Sequence, residues 1–95
     1  VYSIGGGNQA IVDAFAALDR ECEVFVAHDL DEDNVRLLRE GRVSVVLHHD
    51  LGQDMRRVCH AILQAHRVLP GAAHSLPSNI QVVTPYNTPG RLPEI

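Results

Sequence analysis

Three short apolar runs, each giving way to polar residues at its carboxyl end, constrain this chain more than any other feature. Residues 24–27 (Val-Phe-Val-Ala) lead into His28-Asp29. Residues 1–4 lead into Gly5-Gly6-Gly7-Asn8, and residues 43–47 lead into His48-His49-Asp50. Valine-rich runs this short are strand-length rather than helix-length. The central run, bounded by charge, has the pattern of a strand buried on both faces, as in a parallel sheet.

Helix-length segments separate the runs. Ile11, Ala14, Phe15 and Leu18 form one helical stripe, with Asn8 as the expected N-cap. Asp31 is placed to cap a second helix, Glu32 and Asp33 suit its positive end, and Gly41 suits its termination. A third helix opens at Gly52. It is expected to turn Met55, Val58, Cys59 and Ile62 to the core and Arg56, Arg57, His60, Gln64 and Arg67 to water, stopping by Pro70-Gly71. Residues 72–79 read as a loop rich in Ala, Pro and Ser, and residues 80–84 as a fourth strand within a returning strand and tail, 80–95. The expectation is an α/β fold of order β-α-β-α-β-α-β, with an open parallel sheet, helices on both faces and βα units over residues 1–71. Such sheets bind ligands outside the carboxyl ends of their strands.

Composition narrows the function. The chain has 95 residues, a net charge of −4 and no Trp. That disfavours an aromatic platform for single-stranded nucleic acid, and disfavours gripping DNA phosphates with this segment. No apolar run has the length of a membrane span. Cys22 and Cys59 lie far apart without CxxC spacing and read as core residues or free thiols. The chain opens inside a strand without an initiator Met, so it reads as a piece of a longer protein. Its sheet edge is then expected to pair with another copy.

Two constellations carry chemistry. Gly5-x-Gly7-x-x-Ala10 fits a dinucleotide fingerprint, with Asp29 near the expected distance for a ribose contact. Its plainer reading is a glycine-rich βα turn. His28, Asp29, His48, His49 and Asp50 cluster at strand ends. Neighbours on a strand point to opposite faces, which leaves few ligands on one side for a metal. A hydrogen-bonding site for a polar small molecule needs fewer groups. Asp31 and Asp50 also suit helix caps. Ser3, Ser44, Ser75 and Ser78 lack the strand–elbow–helix context of a nucleophile.

The phrases VYSIGGGNQAI, VFVAHDL and REGRVSVVLHHD, each followed by a helix, resemble the sugar-sensing domain of lactose-repressor (LacI/GalR) regulators and type I periplasmic sugar-binding proteins. The resemblance runs to about Asn87 and covers only the latter part of such a domain. It implies that Asp29 accepts hydrogen bonds from ligand hydroxyls, and that His49 stands where the family commonly has glutamine. An imidazole there would add pH dependence near neutrality. Asn8 would be a ligand contact, a cap or both, and His28 a further contact. The resemblance further implies no catalysis, no cofactor and no metal. It implies a sugar or polyol effector, a cytoplasmic homodimer, and DNA contact through a headpiece outside this chain. A transport receptor with a signal peptide, or an NAD(P)-dependent enzyme using Gly5, Gly7 and Ala10, are the alternatives.

Overall fold

In the computed structural model, residues 1–74 and 77–90 are described. The expected tail, residues 91–95, and Ser75 with Leu76 lie outside them. The element order is β1 (Tyr2–Ser3), α1 (Asn8–Ala17), β2 (Val26–His28), α2 (Glu32–Arg39), β3 (Val45–His49), α3 (Leu51–Ala65) and β4 (Ile80–Val83). Among the described residues four strands form one open sheet in chain order, β1-β2-β3-β4. The alternation of strand and helix is as expected. The first three strands are parallel. β4 corrects the all-parallel expectation: it runs antiparallel to β3, with Val46 opposite Val83 and His49 opposite Ile80. The sheet is therefore mixed.

The β1-to-β2 and β2-to-β3 connections step the same way across the sheet, which puts both crossover helices on one face. α1 and α2 pack against each other there. Ala27, Val46 and Val83 share a row on that face and join Val12, Phe25, Leu30, Val35, Leu37, Leu38 and Val43 in a single core. The opposite face carries Tyr2, Val26, Val45, Leu47, Ile80 and Val82, and among the described residues no helix packs over it. Helices on both faces and a doubly buried central strand were expected. Instead, Val24 is 57% exposed because its side of the sheet has no cover.

α3 accounts for the difference. Its N-cap is Asp50, whose carboxylate accepts from the Gln53 N–H at 3.0 Å. Only Gly52 is buried along its length. Met55, Val58, Cys59 and Ile62, expected in the core, are exposed, as is the Cys59 thiol. The helix ends at Ala65, before Pro70. α1 also differs in detail. Gly7 is the N-cap, in the left-handed region, and Asn8 is the first helical residue and buried. The inward stripe is Asn8 and Val12 with Ile11 beside it, while Leu18 falls past the helix end and is exposed.

α2 ends as its sequence predicts. Gly41 has φ +74°, its N–H donates to Leu38 O at 3.2 Å, and the Arg42 N–H donates to Leu37 O at 2.9 Å. This is a Schellman closure. A Cβ at Gly41 would meet nothing within 4 Å. Gly41→Ala is therefore expected to cost about 1 kcal/mol through the backbone alone. Urea denaturation checks this; a loss of only a few tenths would mean that the left-handed turn is not required.

A candidate polar site at the strand ends

The carboxyl ends of β1, β2 and β3 lie along one edge, since the three strands are parallel and in register. A chain of buried amides ties them together. The Ser3 hydroxyl donates to Asn8 Oδ1 at 2.6 Å. Asn8 Nδ2 donates to Asn34 Oδ1 at 2.8 Å. Asn34 Nδ2 donates to His28 O at 2.8 Å and Asp29 O at 2.7 Å. The Asn34 N–H donates to the Asp31 carboxylate at 2.8 Å, so Asp31 caps α2 as expected. Asn8 and Asn34 are 4% and 2% exposed. Buried amides persist only when their donors and acceptors are met, and here they are.

The network holds Asp29 where a non-glycine residue is seldom found, at φ +73°. The Asp29 N–H still continues the ladder, donating to Leu47 O at 2.9 Å. Its carboxylate is exposed and has no hydrogen-bond partner among the described residues. It is a free acceptor at the end of β2.

The three histidines go different ways. His28 lies on the uncovered face, where its ring stacks on Tyr2 at 5.4 Å between centroids and its Nε2 is 2.6 Å from the Tyr2 hydroxyl. His48 and His49 extend β3 beyond the apolar run and point to opposite faces, as the two-residue period requires. His48 Nδ1 accepts from the Leu30 N–H at 3.3 Å, so its proton sits on Nε2. That Nε2 is buried and without a partner among the described residues. His49 Nδ1 is 2.9 Å from Ser78 Oγ, and the Ser78 hydroxyl donates to Asp54 Oδ2 at 2.7 Å. The serine proton is thus directed at the carboxylate, and His49 Nδ1–H donates to the serine oxygen.

The structure therefore joins Asn8 to the backbone of His28 and Asp29. It places the His28 and His49 side chains on the uncovered face. Asn34, Tyr2, Ser78 and Asp54 were missed by sequence reasoning. Only Asn34 left a signal: a polar residue one helical turn after the Asp31 cap, beside the apolar Val35, Leu37 and Leu38. Gly5, Gly6 and Gly7 border open space. Ala10, the third position of the dinucleotide fingerprint, is exposed. No group of three or more metal-ligating side chains converges among the described residues. At the opposite edge a groove of about 760 Å³ is lined by Val12, Phe15, Phe25 and Cys22, with Glu40 and Arg42 at its rim.

Together the fold and this edge define an open, mixed α/β sheet with unpaired polar groups at its strand ends. Comparison with protein families, with curated proteins and with solved structures gives no match. No helix among the described residues is long and apolar enough to cross a membrane.

Proposed function

We propose that this chain is part of the effector-sensing domain of a LacI/GalR-type transcriptional regulator, within a lobe like that of type I periplasmic binding proteins. The effector is a sugar, a polyol or a related polyhydroxylated molecule. It binds at the strand carboxyl ends, between this lobe and a second one. The observation that carries the reading is Asp29: an unpaired carboxylate held out at the end of β2 by a buried amide chain. A carboxylate with open lone pairs suits ligand hydroxyls.

In this reading Asp29 is the principal acceptor, His49 and His28 are the further contacts, and Asn8, buried and engaged by Ser3 and Asn34, supports the site as part of the amide chain rather than touching the ligand. Ligand binding performs no chemistry. It favours one angle between the lobes, and a cytoplasmic homodimer passes that bias to a DNA-binding headpiece. The resemblance of VFVAHDL and REGRVSVVLHHD supports this over an NAD(P)-dependent enzyme; a transport receptor shares the resemblance, and a helix-turn-helix as against a signal peptide in the parent protein separates the two.

The test is a thermal-shift screen of aldoses, ketoses and polyols on the protein, followed by calorimetric titration of any hit. Asp29→Ala is expected to weaken binding by about 1–3 kcal/mol, the scale for leaving polar partners unpaired. A folded Asp29→Ala variant with unchanged affinity would remove the site. A screen without a hit at millimolar concentration would remove the ligand class.

A further inference from the structure

We infer that the groove at the amino ends of the strands is a binding site for a free α-amino acid with a large apolar side chain. The inference is independent of the sensing role, whose residues lie at the opposite edge of the sheet. The groove has a volume of about 760 Å³, within the range of roughly 300–1,000 Å³ typical of small-molecule pockets. Its floor is apolar: Val12, Phe15 and Phe25. Val12 and Phe25 are buried in the core, while Phe15 is half-buried and leaves part of its ring to an occupant.

The rim is made by two helix ends of the same design. α1 and α2 pack side by side, and each closes on a residue in the left-handed region followed by an arginine. In α1 the Asp19 N–H donates to Ala16 O at 3.1 Å and the Arg20 N–H to Phe15 O at 2.9 Å. Asp19, at φ +51°, holds the place that Gly41 holds in α2, and Arg20 holds the place of Arg42. Both ends are Schellman closures. They fix one arginine on each of the two walls of a single groove. Carboxylates sit within two residues of both: Asp19 and Glu21 beside Arg20, and Glu40 beside Arg42.

Charge and shape together select the ligand. Among the described residues these five charged side chains form no ion pair with one another. Each wall therefore presents both signs, unpaired. A simple anion would meet the carboxylates, and a simple cation would meet the guanidinium groups. A zwitterion suits both, because an α-amino acid carries its ammonium and its carboxylate on one carbon. Its carboxylate takes the fork of an arginine, its ammonium takes a carboxylate of the rim, and its apolar side chain covers the ring of Phe15.

The experiment is calorimetric titration of the full chain with L-phenylalanine and with two half-ligands. One is 3-phenylpropionate, which lacks the ammonium; the other is phenethylamine, which lacks the carboxylate. L-phenylalanine is expected to bind, and each half-ligand to bind at least tenfold more weakly. Arg20→Gln combined with Arg42→Gln is expected to weaken binding at least tenfold with unchanged far-ultraviolet circular dichroism, since both side chains are exposed. Arg42→Gln alone replaces the pair if the double variant does not fold. Asp29→Ala, which removes the principal acceptor of the sensing site, is expected to leave binding unchanged. Location is read by alkylation with iodoacetamide. Cys22 lines the groove and Cys59 is exposed on α3, so the ligand is expected to slow the reaction of Cys22 and not that of Cys59. Absence of binding at millimolar L-phenylalanine would overturn the inference. So would half-ligands that bind as tightly, an arginine variant of unchanged affinity, loss of binding in Asp29→Ala, a Cys22 rate that the ligand does not slow, or equal protection of the two thiols.

Discussion

Replacing Asn34 by leucine is expected to destabilise the fold by about 3 kcal/mol, the upper part of the range for stranding buried polar groups. The change is close to isosteric, so packing is little disturbed. What is lost is the bridge between α1, α2 and the end of β2. Asn8 Nδ2 loses its acceptor, and His28 O and Asp29 O lose their shared donor. Few routes exist for water to replace these bonds, because both amides are buried. Urea denaturation at constant pH reads the effect. A change under 1 kcal/mol would mean that the amide chain contributes little beyond its apolar surroundings.

Phe25→Ala is expected to cost about 4 kcal/mol, the usual scale for deleting a fully buried aromatic ring. Phe25 is among the largest fully buried side chains, at 1% exposure, and sits between the sheet and the α1–α2 layer. Its backbone also carries structure, since Phe25 O accepts from the Ser44 N–H at 2.9 Å. A small single core has little reserve, so the variant is expected to lose most of its cooperative transition. Val58→Ala is the contrast. Val58 is 51% exposed on α3, and in dilute solution its truncation falls within about 0.5 kcal/mol of zero. Equal losses from the two substitutions would place α3 inside the core and contradict the layer described.

These two residues also show what the sequence makes legible. The run holding Phe25 announces a strand and a core residue together, because apolar β-formers between charges have few other uses. Caps and stops are equally local: Asp31, Asp50 and Gly41 act within a few residues of themselves, and all three do what their types predict. Partnership is a different matter. Met55, Val58 and Ile62 reveal that α3 has an apolar face, but periodicity says nothing about what covers it. Val24 is exposed for the same reason. His48 and His49 were read as the end of β3, yet they lie within it. The ladder to Gln81 and Ile80 is made by backbone groups, which take no account of the imidazoles. The direction of β4 is likewise absent from its composition. At the site, Asp29 was legible from its place after an apolar run. Its left-handed backbone was not, because that conformation is held by the side chain of Asn34, in the first turn of α2, on the Asp29 carbonyl.

The order of the sheet repeats the order of the chain. Each strand finds its partner in the strand just before it: Val26 in the register of Tyr2, Val45 in the register of Val26, Val83 in the register of Val46. Among the described residues no strand has to be inserted between two that are already paired. As the polypeptide leaves the ribosome, each new βα unit meets an edge already complete, and the loop closed at each step is short. The architecture grows from one side, like a row of tiles, and the edge offered for growth is always the one most recently made.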